Sequence, residues 1–295
     1  MPARKKIERL VVIGVGLIGG SFALALKKAR AVKHVVGVGR TRRNLALARR
    51  RGIVDEIATD AGRAVRDADF VFLGTPVGQM ADVMARIAPD LAPHAVVTDG
   101  GSTKQDVIAY ARAHLGPHYG RFVPSHPIAG TEQSGAGAAY ADLFRERKVI
   151  LTPTRETSAG ALRAVRSAWR QCGALLIRMA AREHDDVLAA VSHLPHVVAF
   201  ALMNALAQRA DAPQVLRHSG GGLRDTVRIA GSSPEMWRDV CLANRDALLA
   251  ALDGYTAELT RCRTAIEHGD GAALEAMFER ARAARSHWLL RRRVR

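Results

Sequence analysis

Short apolar runs of strand length alternate with amphipathic segments through the first 179 residues. IERLVVI (7–13) reads as a buried strand, and GVGLIGGSFALALKKA (14–29) as a turn opening a helix. HVVGV (34–38) is a second strand, followed by the helical NLALARRRG (44–52), closed by its glycine. ADFVFLGTP (68–76) is a third strand and GQMADVMARIAPDL (78–91) a helix. HAVVTDGGSTKQDVIAYARAHL (94–115) repeats the strand–turn–helix pattern. RFVPSHPIAG (121–130) is another strand running into a polar loop, and KVILTP (148–153) and GALLIRM (173–179) are short strands flanking a helix. This alternation predicts an α/β domain over residues 1–179, built on a doubly wound, mostly parallel sheet.

From about Ala180 the period changes. REHDDVLAAVSHLPHVVAFALMNALAQ (182–208), MWRDVCLANRDALLAALDGYTAELTRCRTAI (236–266) and GAALEAMFERARAARSHWLL (271–290) carry helical periodicity with almost no strand signal. An all-α domain is expected over 180–295. Its long apolar faces need partners, and two-fold assemblies being commonest, a homodimer is expected.

Composition narrows the class. The 295 residues are 48% hydrophobic and 24% charged, ordinary for a globular chain long enough for two domains. No apolar run reaches the roughly 18–20 residues needed to cross a bilayer, and the start, MPARKKIERLVVIG, lacks a cleavage site, so neither a membrane span nor a signal peptide is expected. Cys172, Cys241 and Cys262 lack metal-ligand spacing, which points to a reduced cytoplasmic setting without a metal site. The formal charge of +16 invites a nucleic-acid partner. Against it, arginines are scattered along Ala- and Leu-rich helices, dense only at 49–51 and in the terminal RRRVR. No nucleic-acid partner is expected; the charge suits small anionic substrates.

Gly14, Gly16 and Gly19 form GxGxxG directly after the first strand. The first glycine makes the tight turn, the second lets backbone approach a pyrophosphate, and the third allows close helix packing. Leu17 and Ile18 begin the helix, whose amide-rich N-terminus faces the phosphates. The pattern predicts a Rossmann-type domain with a nicotinamide cofactor, and Thr75 and Pro76 fall at the same sheet edge. Where an acid ordinarily holds the ribose hydroxyls, the chain has Gly39, Arg40, Thr41, Arg42 and Arg43. An acid repels a 2′-phosphate, whereas glycine leaves room and guanidiniums bind it, so NADP is expected ahead of NAD.

Three further segments carry candidate chemistry. DGGSTKQD (99–106) permits a capping box through Ser102 or Thr103, and also places Ser102 at the ligand-binding edge. His126, in PSHPIAGTEQSG (124–135), is suited to take a hydroxyl proton as hydride leaves the same carbon. SHLPH (192–196) sets His193 and His196 on one face of a helix expected to kink at Pro195. SGGGLRDTVRIAGSSPEMW (219–237) offers Arg224, Asp225 and Arg228, and ends as a helix start capped by Ser232 or Ser233 before Pro234.

With GVGLIGGS, DGGSTK, SHPIAGTE, SHLPH and GGGLRDTVRIAGSSPEMW in family order, the chain resembles the prephenate/arogenate (cyclohexadienyl) dehydrogenase family of tyrosine biosynthesis. The resemblance implies oxidative decarboxylation of a dicarboxylate cyclohexadienol, with CO2 release and hydride transfer to NADP or NAD. Prephenate would give 4-hydroxyphenylpyruvate, and arogenate tyrosine. It further implies that His126 is the catalytic histidine and that Ser102 orients histidine and substrate. Arg228 then binds a substrate carboxylate, His196 and His193 line the pocket, and Thr131 and Glu132 lie near its mouth. No fused mutase or regulatory domain is expected. Two alternatives share fewer motifs: another two-domain reductase of the 3-hydroxyacid dehydrogenase or imine reductase type, and a nicotinamide-sensing, nucleic-acid-binding regulator.

Overall fold

The chain is described as a computed structural model over residues 6–293; residues 1–5 and 294–295, and the side chains at 291–293, lie outside the described residues, and with them the RRRVR terminus. It forms two compact units, Met1–Arg245 and Asp246–Arg295.

The first unit contains the expected doubly wound sheet. Its strands are β1 (Ile7–Ile13), β2 (Val32–Val38), β3 (Glu56–Ala58), β4 (Phe70–Leu73), β5 (Val96–Asp99) and β6 (Phe122–Val123). They lie in the order β3-β2-β1-β4-β5-β6, all pairs parallel. Helices α1 (Leu17–Lys28), α2 (Arg42–Arg50), α3 (Ala61–Val65), α4 (Met80–Ile87) and α5 (Gln105–His114) make the crossovers. β1 and β4 are covered on both faces, which is why their sequences read as near-continuous apolar runs. One face packs the rings of Phe22, Phe72, Phe144 and Trp169 together. The other buries Met80, Met84 and Trp237. The strand order reverses between β1 and β4, leaving a crevice at their carboxyl ends.

The single strand expected over RFVPSHPIAG is instead two. Pro124 has no N–H to extend the ladder, and the chain changes sheets there. β6 ends the large sheet, while β7 (Ser125–Pro127) pairs antiparallel with β8 (Lys148–Leu151) in a second sheet of order β7-β8-β9. α6 (Ala159–Gln171) connects β8 to β9 (Leu175–Arg178). The short β3 and α3 also have no counterpart in the sequence reading; elements of 3 and 5 residues are too short for a period to register.

Every later element is helical. α7 (Ala181–Leu188) runs through a π turn, Ala189–His193, into α8 (Leu194–Ala207). The kink expected at Pro195 takes this form: a proline lacks the N–H for the preceding turn, and a wider turn accommodates it. The 27-residue span 181–207 is long and apolar enough to cross a bilayer, so the expectation that no run reaches that length does not hold. Its His184, Asp185 and His193 are nevertheless buried polar groups. α9 (Ala212–Arg217), α10 (Gly221–Val227) and α11 (Pro234–Ala243) follow, with Ser233, one of the two serines offered as its cap, capping α11. The second unit consists of α12 (Arg245–Glu267), which starts at the boundary, and α13 (Gly271–Arg293). These helices leave Leu259, Ile266 and Phe278 exposed.

A buried ion pair closes the large sheet beside the crevice. Lys104 Nζ bonds Asp99 and also donates to the Ser125 carbonyl at 3.0 Å, with both charged side chains fully buried. Asp99 in turn accepts from the backbone N–H of Ser125 at 2.9 Å and of Gly101 at 2.8 Å. Removing one member of such a pair leaves an uncompensated charge in low dielectric. Lys104→Met is therefore expected to lower unfolding free energy by about 3–5 kcal/mol in urea titrations. A loss below about 1 kcal/mol would show the pair to be energetically idle.

Candidate active site

The glycine turn sits at the crevice. Gly14 has φ +96°, and a Cβ there would lie 2.5 Å from the Gly74 carbonyl carbon. A Cβ on Gly19 would lie 2.3 Å from the Gly14 oxygen, so this glycine lets α1 close on the strand end. A Cβ on Gly16 meets nothing within 4 Å: protein packing does not require that glycine, whereas a ligand approaching the backbone does. The first turn of α1 has no side-chain cap, leaving its amides free for an anion.

Gly14, Gly16, Leu17 and Ile18 open onto one large cavity of about 1760 Å³. Gly39, Arg40, Thr41 and Arg42 line the same cavity, as do Thr75 and Pro76; Gly19 and Arg43 do not. Thr75 Oγ1 is buried without a hydrogen-bond partner, as expected of a group awaiting a ligand. These features fit a dinucleotide. Arg40 is not idle: its guanidinium makes paired bonds of 3.1 and 3.3 Å to Glu235, which also accepts from Gln79 at 3.0 Å. Arg40 is thus paired with an acid supplied by α11, a contact that sequence reading did not find.

Ser102 and His126 line the same cavity. Ser102 and Thr103 do not cap α5; the amides of Lys104 and Gln105 bond the Asp185 carboxylate, each at 2.8 Å. A carboxylate 80 residues away thus replaces the expected local capping box. His126 lies within β7, its imidazole almost wholly buried. Its Nδ1 is 2.8 Å from His184 Nε2, and His184 Nδ1 is 2.7 Å from Asp185 Oδ1. No hydrogen bond joins Ser102 to His126 among the described residues. Burial, with the nearby His184 and Lys104, holds His126 well below the ordinary histidine pKa, so it stands neutral as a base.

The helical side completes the cavity. His196 stacks on Trp237 with ring centroids 3.6 Å apart and lines the cavity. His193 lies behind it, fully buried and outside the lining, its Nδ1 3.1 Å from Asn244 Nδ2. Arg228, Thr131 and Glu132 line the cavity too, and Arg228 Nη1 donates to Glu132 Oε2 at 3.3 Å. Arg228 therefore pairs with Glu132, on a loop about a hundred residues earlier, and not with the neighbouring Asp225. His184, Asp185 and Lys104 are the site residues that sequence reading missed. DGGSTKQD directs attention to Ser102 and its possible cap, not to Lys104, and REHDD reads as an ordinary helix start.

The cavity thus joins a dinucleotide edge, a buried neutral histidine and an arginine. A family model described as prephenate dehydrogenase, nucleotide-binding domain, matches residues 22–178, and one described as prephenate dehydrogenase, dimerization domain, matches 180–280. The chain belongs to the prephenate dehydrogenase family. Among prephenate dehydrogenase relatives, a cyclohexadienyl dehydrogenase of Zymomonas mobilis is 38% identical, over 94% of this chain and 95% of its own. A prephenate dehydrogenase of Bacillus subtilis is 36% identical, over 97% of this chain and 77% of its own. The crystal structure of prephenate dehydrogenase from Aquifex aeolicus, in complex with hydroxyphenyl propionate and NAD+, superposes with a TM-score of 0.87 at 34% identity. That match covers 95% of this chain and 98% of the other. As a family member, this prephenate dehydrogenase homologue is an oxidoreductase with a nicotinamide-cofactor domain.

Burial lowers the His193 pKa to about 4. The unfolded chain binds that proton nearer pH 6.5, so between these values the unfolded state holds more protons and stability falls as pH falls. His193→Gln keeps an acceptor for Asn244 and removes the titration. Relative to wild type, its unfolding free energy is expected to lose about 1 kcal/mol less per pH unit from pH 6 to 4 in urea titrations. Parallel pH profiles would refute this.

Proposed function

We propose that this chain oxidatively decarboxylates prephenate or arogenate, with NADP preferred over NAD. The observation that carries the reading is the buried, neutral His126 in the same cavity as the GxGxxG edge. When bound, the nicotinamide supplies the hydride acceptor. His126 takes the ring hydroxyl proton, which makes the carbinol carbon a better hydride donor. Arg228 exchanges Glu132 for a substrate carboxylate. His196, held flat by Trp237, lines the substrate end with Ser102, and Thr131 and Glu132 border its entrance. His193 acts from behind by packing. Loss of CO2 then follows from aromatisation, without a dedicated acid.

The NADP preference is supported by Gly39 and by Arg40 and Arg42 at the cavity edge. The dimerization-domain match and the exposed apolar side chains of α12 and α13 support a homodimer. Residues 1–179 form the cofactor domain on this reading, and 180–295 the substrate and dimer domain. Three free cysteines suit the cytoplasm.

Purified enzyme given prephenate or arogenate with each cofactor should form reduced nicotinamide, followed by its absorbance; no turnover with either substrate sinks the reading. His126→Asn is expected to lower kcat by about 10²–10⁴-fold. Replacing Arg40 and Arg42 together by Ala should weaken NADP binding by about tenfold or more in calorimetry, and NAD binding far less. Unchanged NADP affinity would remove the 2′-phosphate assignment and leave the reaction standing.

A further inference from the structure

We propose that His184 and Asp185 are positioning residues that fix the proton of His126 on Nδ1, so that its Nε2 meets the substrate hydroxyl as a bare lone pair. The inference rests on His126 being the base, and it follows from counting protons along one buried chain of contacts.

The count starts at Asp185. Its Oδ1 accepts from the Lys104 amide at 2.8 Å and lies 2.7 Å from His184 Nδ1, while its Oδ2 accepts from the Gln105 amide at 2.8 Å. Burial alone would raise this carboxyl's pKa, but the bonds from His184 and the two amides hold it below the ordinary value. The site is also the N-terminus of the 10-residue α5, whose dipole favours an anion. Asp185 is therefore ionised and has no proton to give. His184 Nδ1 must be the donor in that contact.

Burial, reinforced by Lys104, lowers the His184 pKa and disfavours a second proton on its ring. With its one proton on Nδ1, His184 presents a lone pair at Nε2. The contact of 2.8 Å to His126 Nδ1 is then a hydrogen bond only if His126 donates. A neutral imidazole has a single N–H, so His126 Nε2 is left unprotonated, and it makes no hydrogen bond among the described residues. This is the nitrogen a base needs. In the reaction the hydroxyl O–H bond breaks, the proton forms a bond to Nε2, and the electron pair left on oxygen forms the C=O π bond as hydride leaves that carbon for the nicotinamide. The resulting imidazolium keeps its Nδ1–H on His184, whose other face rests on the Asp185 anion. Without this relay the buried ring is free to carry its proton on Nε2, where it blocks the chemistry.

The test compares two substitutions with the wild-type enzyme. A carboxamide at His184→Gln can accept from His126 and donate to Asp185, whereas His184→Leu does neither. His184→Leu is expected to lower kcat by about 10- to 100-fold, with KM and calorimetric NADP affinity changed less than about threefold, and His184→Gln to recover most of that loss. Ring 15N spectra of histidine-labelled protein should show His126 protonated on Nδ1 in wild type and His184→Gln, with proton density moving to Nε2 in His184→Leu. A wild-type His126 protonated on Nε2 overturns the proposal, and so does a folded His184→Leu enzyme with wild-type kcat. If His184→Leu does not fold, the wild-type and His184→Gln spectra decide. The spectra need no substrate, so a failure to turn over prephenate or arogenate would count against the reaction while the proton's position is still read.

Discussion

Two opposite charges are buried where β5 ends, and the candidate site takes its geometry from them. Asp99 and Lys104 lie on either side of a four-residue turn, and the lysine reaches across to the Ser125 carbonyl at the start of β7. The carboxylate holds the backbone N–H of the same serine. Strand β5 of the large sheet and β7, the first strand of the other, are thereby tied at one point, with Trp169 Nε1 on Ser125 Oγ at 3.1 Å closing the knot from α6. His126 is the next residue. Its position relative to the glycine turn is fixed by charge burial, which tolerates little movement because any loosening exposes an unpaired ion to low dielectric.

A second layer of constraint comes from α7. Asp185 satisfies the first amides of α5, so a helix end that would otherwise face water is completed by another element. The same carboxylate bonds the histidine that bonds His126. The dinucleotide edge and the helical wall are thus joined through polar groups that each have one arrangement available. Groups meant for ligands are left without such partners: Thr75 Oγ1 is buried and unpaired, and the amides at the start of α1 are uncapped.

Much of this was legible in the sequence where the information is local. Period, glycine spacing and the cap at Ser233 located the strands and helices and the cofactor turn. Motifs in family order placed Ser102, His126, His196, Arg228, Thr131 and Glu132 around one cavity. What stayed hidden depends on residues far apart in the chain. RFVPSHPIAG looks like one strand because nothing in it announces that Pro124 hands the chain to another sheet. His184 and Asp185 look like a solvated first turn because their partners are about 60 to 80 residues away. The pairing of Arg40 with Glu235 spans 195 positions, so nothing near Arg40 in the sequence announces it.

The π turn at Ala189–His193 gives the long helix two angular settings. An α-helix advances about 100° per residue, and one residue taken up in a wider turn rotates everything beyond it by about that angle. Ahead of the turn, His184 and Asp185 face the buried knot; beyond it, His196 faces the cavity and Trp237. The helix behaves as a shaft with a keyed joint, aiming one set of side chains inward and the next across the pocket. A single-residue deletion within the joint would leave helix, composition and hydrophobicity nearly intact, yet turn one set away from its target. Length in this segment is accordingly a stricter inheritance than the identity of most residues within it.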